Sequence, residues 1–190
     1  MRIVAGTCRG RSLVAPKGHS TRPTADRTRQ ALFNVLEHAP WSRGLAGARV
    51  LDLFAGSGAL GLEALSRGAA CCLFIDTDEN ARAAIRANLA NLALAEAARV
   101  ERFDATRLAS PPAGGGFDLA FLDPPYGRAM NEAALAGLAR GGWLTPAAII
   151  MVERGADEPP LRAVDFELLD ARLWGAARVS FLEPRSTPAE

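Results

Sequence analysis

The chain has 190 residues, 49% hydrophobic and 23% charged, with a formal net charge of +1. That length and mix suit one globular domain, which can bury its core without disulfides or a structural metal. No apolar run reaches the ~18 residues of a membrane span, and MRIVAGTCRGR lacks the long apolar stretch of a signal peptide. Cys8, Cys71 and Cys72 form no Cys-x-x-Cys pair and no cluster with His19 or His38. No metal site is therefore expected, and the thiols fit a reducing, cytoplasmic setting. The charge is uneven: residues 1–30 hold seven basic residues against one acid, Asp26, leaving the remainder acidic. A basic arm on an acidic body points to a polyanionic partner such as nucleic acid.

In chain order, Arg2–Ala5 and Ser12–Ala15 read as two short β-strands around a glycine-containing turn that carries Arg9 and Arg11. A basic hairpin of this kind can lie on a phosphate backbone. A loop over 16–24 follows, with Thr24 as N-cap of a helix from Ala25 to His38. Residues 49–54 are the first core strand and 57–68 the first core helix. Cys71–Asp76 is a second strand, Glu79–Leu92 a helix, Arg99–Asp104 a third strand, and Pro111–Gly116 a solvent-exposed linker. Phe117–Asp123 is a fourth strand, Asn131–Arg140 a helix, and Ala147–Glu153 a fifth strand. Gly155–Pro160 is a turn, Phe166–Trp174 with Arg178–Glu183 a terminal antiparallel hairpin, and the last residues a tail.

This alternation predicts an α/β fold: a seven-stranded, mostly parallel sheet with helices on both faces, a C-terminal antiparallel hairpin and a small N-terminal β-hairpin. The expected organisation is a basic hairpin and loop over 1–24, the main domain over 25–184 and a tail over 185–190. Ligands in such sheets bind beyond the strand C-termini. Asp52, Asp76, Asp104 and Asp123 all fall at or near that edge.

The segment Asp52-Leu53-Phe54-Ala55-Gly56-Ser57-Gly58-Ala59-Leu60-Gly61 runs from strand through glycine turn into helix. Bare backbone at a helix N-terminus can cradle a ligand. Gly56-x-Gly58-x-x-Gly61 matches the dinucleotide fingerprint, and Asp76 lies 20 residues beyond Gly56. The glycines and Asp76 leave NAD and S-adenosylmethionine both open. Asp52 favours the latter, because a carboxylate at the cradle repels a pyrophosphate and suits an ammonium or sulfonium group. Asp104 adds an acceptor for an adenine amino group. The candidate cofactor residues are Asp52, Phe54, Ala55, Gly56, Gly58, Asp76, Thr77, Asp104, Ala105 and Asp123.

Asp123-Pro124-Pro125-Tyr126 after the fourth strand resembles the signature of S-adenosylmethionine methyltransferases acting on exocyclic amino groups. Such an amine is a poor nucleophile because its lone pair is delocalised into the ring. Asp123 and the Pro124 carbonyl would hold its two N–H bonds, Pro125 would help fix the turn, and Tyr126 would stack on an unpaired or flipped base.

The order of MRIVAGTCRGRSLVAP, TRPTADRTRQALFNVL, LDLFAGSGALGLEALSRGA and DPPY resembles the bacterial small-subunit ribosomal RNA guanine-N2 methyltransferase family over nearly the whole chain. The resemblance implies a Rossmann-like class I fold and methyl transfer from S-adenosylmethionine to N2 of one guanine in 16S rRNA. It also implies an assembled or assembling small subunit as substrate. An N6-adenine methyltransferase on RNA or DNA is the nearest alternative, and a non-catalytic binding module is a more distant one. Arg9, Arg11, Arg22 and Arg27 are candidates for RNA contact, and the protein is expected to act as a monomer. One departure from the family pattern is Asp76, where glutamate is expected. The shorter side chain leaves Thr77 or Asp78 to share a ribose contact.

Overall fold

The computed structural model describes residues 1–16, 24–111, 116–125 and 130–185. Among the candidate residues, Arg22 and Tyr126 lie outside them, as do most of the 16–24 loop, residues 112–115 of the linker and residues 186–190 of the tail.

Seven strands form one sheet: β1 (Arg49–Leu53), β2 (Cys71–Ile75), β3 (Ala98–Glu101), β4 (Phe117–Leu122), β5 (Leu144–Gly155), β6 (Phe166–Trp174) and β7 (Ala177–Pro184). Their order is β3-β2-β1-β4-β5-β7-β6. The first five are parallel, whereas β7 runs antiparallel to both β5 and β6. The sheet starts at β1, winds outward to β3, then crosses back to β4, so a topological switch point lies beside β1. Helix α1 (Thr24–His38) precedes β1, and α2 (Ala59–Ser66), α3 (Glu79–Leu92) and α4 (Met130–Arg140) connect strands. The predicted mixed sheet and terminal hairpin are both present.

Period-two alternation divides the core. Val50, Cys72, Phe74, Leu119, Phe121, Ile149 and Met151 face one side, under α1, α2 and α3. Leu51, Leu53, Leu73, Ile75, Ala120, Leu122, Ile150 and Val152 face the other, under α4 and Trp143. Strands buried on both faces explain why β1, β2 and β4 read as apolar runs rather than alternating ones.

The N-terminal arm differs from the predicted hairpin. The described residues 1–16 hold no strand, only one antiparallel bridge, Arg2 to Ser12. The backbone folds back on itself through Ile3 N–H to the Arg11 carbonyl and Leu13 N–H to the Met1 carbonyl. Gly10 N–H also donates to the Ile3 carbonyl, while other polar groups of the arm turn to the body. Val4 and Ala5 N–H donate to Glu63 at 2.8 and 2.9 Å, and Cys8 N–H donates to Ser66 Oγ at 3.0 Å. Ile3, Cys8 and Leu13 are buried in the first core. Tertiary anchoring thus supplements a short antiparallel pairing and takes the place of a longer ladder. β3 is also shorter than predicted: it stops at Glu101, so Asp104 lies beyond the strand and caps the short 3-10 turn Ala105–Arg107.

Candidate active site

The C-terminal ends of the parallel strands present a row of acids. Leu53 pairs with Ile75 on one side and Leu122 on the other, so the residues after them share one rim. Following the sheet order, the rim carries Asp104, Asp76, the Asp52-to-Gly58 turn, Asp123 and Glu153.

The turn after β1 is the centre of this row. Phe54 has φ +58°, a left-handed conformation that a bulky residue adopts only under constraint. Ala55 N–H donates to the Ile75 carbonyl and Gly58 N–H to the Ala55 carbonyl, which hold the turn in place. Gly56 has φ +55°, and a Cβ there would meet nothing nearer than the Phe54 carbonyl at 3.9 Å. Its open side is the bare-backbone surface expected of a ligand cradle. Gly61 has a different task. A Cβ there would lie 2.4 Å from the Phe74 ring and 2.6 Å from Cys72 Sγ, so Gly61 lets α2 pack directly on β2.

Asp52 is buried, and its Oδ2 accepts from Gly61 N–H at 2.9 Å. It therefore satisfies one of the open N–H groups of α2's first turn, a structural task not apparent from the motif. Burial pushes its carboxyl well above the usual range. The Gly61 bond opposes this, and the charges of Asp123 and Asp76 add to it. A buried, electron-rich carboxyl beside the turn suits a cationic ligand group, which would relieve that strain.

Asp76 grips the turn from β2: Oδ2 accepts from Gly56 N–H and Oδ1 from Asp78 N–H, both at 2.8 Å. Each oxygen keeps capacity for a second bond, as from a ribose hydroxyl. Arg82 Nη1 holds the Asp76 carbonyl at 2.9 Å, a support the motif did not reveal. Thr77 is exposed next to it. Asp104 is exposed, and its carboxyl is held below the usual range by the Thr106 hydroxyl, then by the Thr106 N–H. Ala105 is buried in the second core, so its side chain faces inward rather than toward the rim.

Asp123 leaves β4 at the rim with Pro124 buried and Pro125 exposed behind it. Surrounding protein, then the negative charge of Glu153, push the Asp123 carboxyl up towards about 8. Its exposed surface lets water offset part of that enclosure. Val152 pairs with Leu122, which places Glu153 beside Asp123 across neighbouring strands. The strong acid–acid proximity had no motif in the sequence; only the alignment of two strand ends creates it.

The basic candidates are more dispersed. Arg9, Arg11 and Arg27 are exposed, and Arg11 Nη2 also donates to the Asn91 carbonyl at the end of α3. Cys8, Cys71 and Cys72 are free thiols, and no described cluster of three His, Cys, Asp or Glu residues is placed to hold a metal. A cavity lined by Leu36, Ser42, Arg43, Leu45, Asp118 and Ile149 lies at the opposite sheet edge, where β1 and β4 begin. None of the rim acids lines it.

Comparison with known proteins agrees with this geometry. The family model described as Conserved hypothetical protein 95 matches residues 1–183. The ribosomal RNA small subunit methyltransferase D of Haemophilus influenzae is 36% identical over 177 residues, covering 92% of this chain and 89% of its own. The protein of that name from Escherichia coli is 42% identical over 153 residues, covering 80% and 74%. A solved Escherichia coli structure, described as a candidate methyltransferase, superposes with a TM-score of 0.82 at 35% identity, covering 98% of this chain and 99% of its own. With the acid rim, the glycine turn and the Asp-Pro-Pro strand end in place, these likenesses show that the chain belongs to the Conserved hypothetical protein 95 family, the family of the ribosomal RNA small subunit methyltransferases D.

Proposed function

We propose that this protein transfers a methyl group from S-adenosylmethionine to the exocyclic N2 of one guanine in 16S rRNA of the small ribosomal subunit. The observation that carries the reading is the adjacency of two unlike surfaces on one rim. An open glycine cradle is flanked by Asp52 and Asp76, and the next strand over ends in Asp123-Pro124.

The residues present fit that cofactor. Gly56 leaves room for close approach, Asp76 retains acceptor capacity for a ribose diol, and the buried Asp52 favours positive charge. Asp104 stands further along the rim on the adenine side, with Thr77 and Ala105 as its neighbours in the candidate set. When bound, S-adenosylmethionine supplies an electrophilic methyl group on a sulfonium sulfur. Positive charge one strand away from Asp123 favours its ionised form, offsetting the upward push of enclosure and Glu153.

Ionised Asp123 and the Pro124 carbonyl accept the two N–H bonds of the guanine amine. That contact shifts the nitrogen towards sp³ character and aims its lone pair at the methyl carbon. Asp123 would be the acceptor placed to receive the amine's surplus proton once the nitrogen takes the methyl group that the cofactor would supply. Holding both partners in line supplies ~7–11 kcal/mol of barrier reduction. Pro125 and Tyr126 complete the candidate catalytic set, Tyr126 as the stacking surface for the base. Arg9, Arg11, Arg22 and Arg27 supply phosphate contacts from the arm and α1. Residues 1–24 act as the RNA-contacting segment ahead of the catalytic body, working as a monomer in the cytoplasm.

Isothermal titration of the protein with S-adenosylhomocysteine and with NAD tests the cofactor, and methyl incorporation by Asp123→Ala tests the acceptor. The reading expects binding of S-adenosylhomocysteine only and loss of methylation in the variant. Tighter NAD binding, or parental activity in Asp123→Ala, would overturn it.

A further inference from the structure

Asn88 lies on the apolar face of α3, among Ala84, Ile85, Leu89 and Leu92, and is fully buried. A buried amide is costly unless its hydrogen-bonding capacity is met. Here it is met by two separate segments. Oδ1 accepts from Val14 N–H at 2.7 Å, and Nδ2 donates to the Val14 carbonyl at 3.0 Å and to the Ser57 carbonyl at 3.1 Å. The amide orientation follows from its partners, since an N–H can only donate and the two carbonyls can only accept. Val14 is 47% exposed, so packing does little to hold it. Ser57 belongs to the glycine turn and precedes Gly58, the N-cap of α2. A second contact spans the same gap, with Ser57 Oγ 3.8 Å from Met1 Sδ.

We infer that Asn88 is a positioning residue that locks the N-terminal arm to the glycine turn, so that the RNA-facing and donor-facing surfaces are set by one buried side chain. The inference rests on the reading above for what each surface binds. An apolar residue of similar size would fill the space in α3, but it would fix neither Val14 nor Ser57. The three hydrogen bonds thus fix the arm and the glycine turn relative to α3.

The experiment uses two variants of the full chain. Asn88→Asp keeps an acceptor for Val14 N–H but sets carboxylate oxygen against the Val14 and Ser57 carbonyls. Val14→Pro removes the arm's donor at an exposed position without touching the turn. S-adenosylhomocysteine affinity is measured by titration, and affinity for unmethylated small subunits is measured by filter binding without cofactor, both well below each variant's unfolding temperature. Two opposed carbonyls predict about a tenfold or greater loss of both affinities in Asn88→Asp. Val14→Pro is expected to weaken S-adenosylhomocysteine binding about threefold although it alters only the arm. In turnover, the loss should fall on KM for both substrates more than on kcat.

Parental affinities in folded Asn88→Asp, with only a lowered unfolding temperature, would reduce Asn88 to a packing role and overturn the inference. If Asn88→Asp does not fold, Val14→Pro decides alone, and unchanged cofactor affinity there overturns it. If the parent chain itself fails to bind S-adenosylhomocysteine, the donor assignment fails instead. The coupling is then judged by subunit affinity, where a loss in Asn88→Asp still supports it.

Discussion

Glu63 is the anchor whose removal most directly tests how the arm is held. It is fully buried, and its carboxylate accepts from Val4 N–H at 2.8 Å, Ala5 N–H at 2.9 Å and Arg67 Nε at 2.8 Å, with Arg29 Nε at 3.6 Å. Arg29 and Arg67 are themselves only 4% exposed. Arg67 keeps Glu37 and the Phe33 ring, and Arg29 keeps Asp26, but among the described residues Glu63 is the one carboxylate that touches both guanidinium groups. Glu63→Ala leaves these cations less compensated in a dry site and opens two backbone donors. Breaking a buried pair from one side costs about 3–5 kcal/mol. In a domain of this size that corresponds to a drop of about 6–20 °C in unfolding temperature. Differential scanning calorimetry reads the drop, and limited trypsin digestion reads the arm, because Arg9 and Arg11 become cleavable when it lifts. Glu63→Gln, which keeps one acceptor oxygen, should lose less than Glu63→Ala. A Glu63→Ala loss below about 1 kcal/mol, with no change in trypsin sensitivity, would refute the anchoring argument.

Four further outcomes follow from the same geometry. Gly6 has φ +78°, and a Cβ there would lie 1.8 Å from the Ser66 carbonyl oxygen; Gly6→Ala should cost more than about 1 kcal/mol in urea unfolding and free the arm to trypsin. Gly61→Ala forces α2 off β2 and should cost about 1–3 kcal/mol by the same assay. The folded-state pKa of Asp52 is raised, so its contribution to stability is full below the unfolded value near about 4 and is lost as pH climbs towards the folded value. Asp52→Asn, which keeps an acceptor for Gly61, should therefore match the parent's urea midpoint near pH 4 and equal or exceed it at pH 7, while weakening S-adenosylhomocysteine binding. Glu153→Gln removes the second cause of the raised Asp123 carboxyl, so the acid limb of the kcat/KM pH profile should move to lower pH.

The elements most legible in the sequence were those whose signal is local. Helix α3 begins and ends as predicted because Asp78 caps it and its apolar face repeats at helical spacing. Strands β1, β2 and β4 were legible because burial on both faces makes them short apolar runs. The arm doubles back as expected but pairs through one bridge only, because several of its β-prone residues bond to Glu63, Ser66 and Asn88, and no local pattern announces a side chain some 60 or more positions away. At the site, the glycine turn and the rim order were readable, whereas the bond by which Asp52 caps α2 through Gly61 N–H was not. Arg82 and Asn88 carried a signal that could have been used: each interrupts the buried face of α3 with a polar group. Glu153 carried none, because its proximity to Asp123 depends on the register of β4 against β5.

The central claim is tested most directly by incubating the protein with labelled S-adenosylmethionine and small subunits that lack the modification, then digesting the 16S rRNA to nucleosides and mapping the label. The account predicts N2-methylguanosine at a single position. N6-methyladenosine as the sole labelled nucleoside, or no incorporation into subunits or naked 16S rRNA, would contradict it.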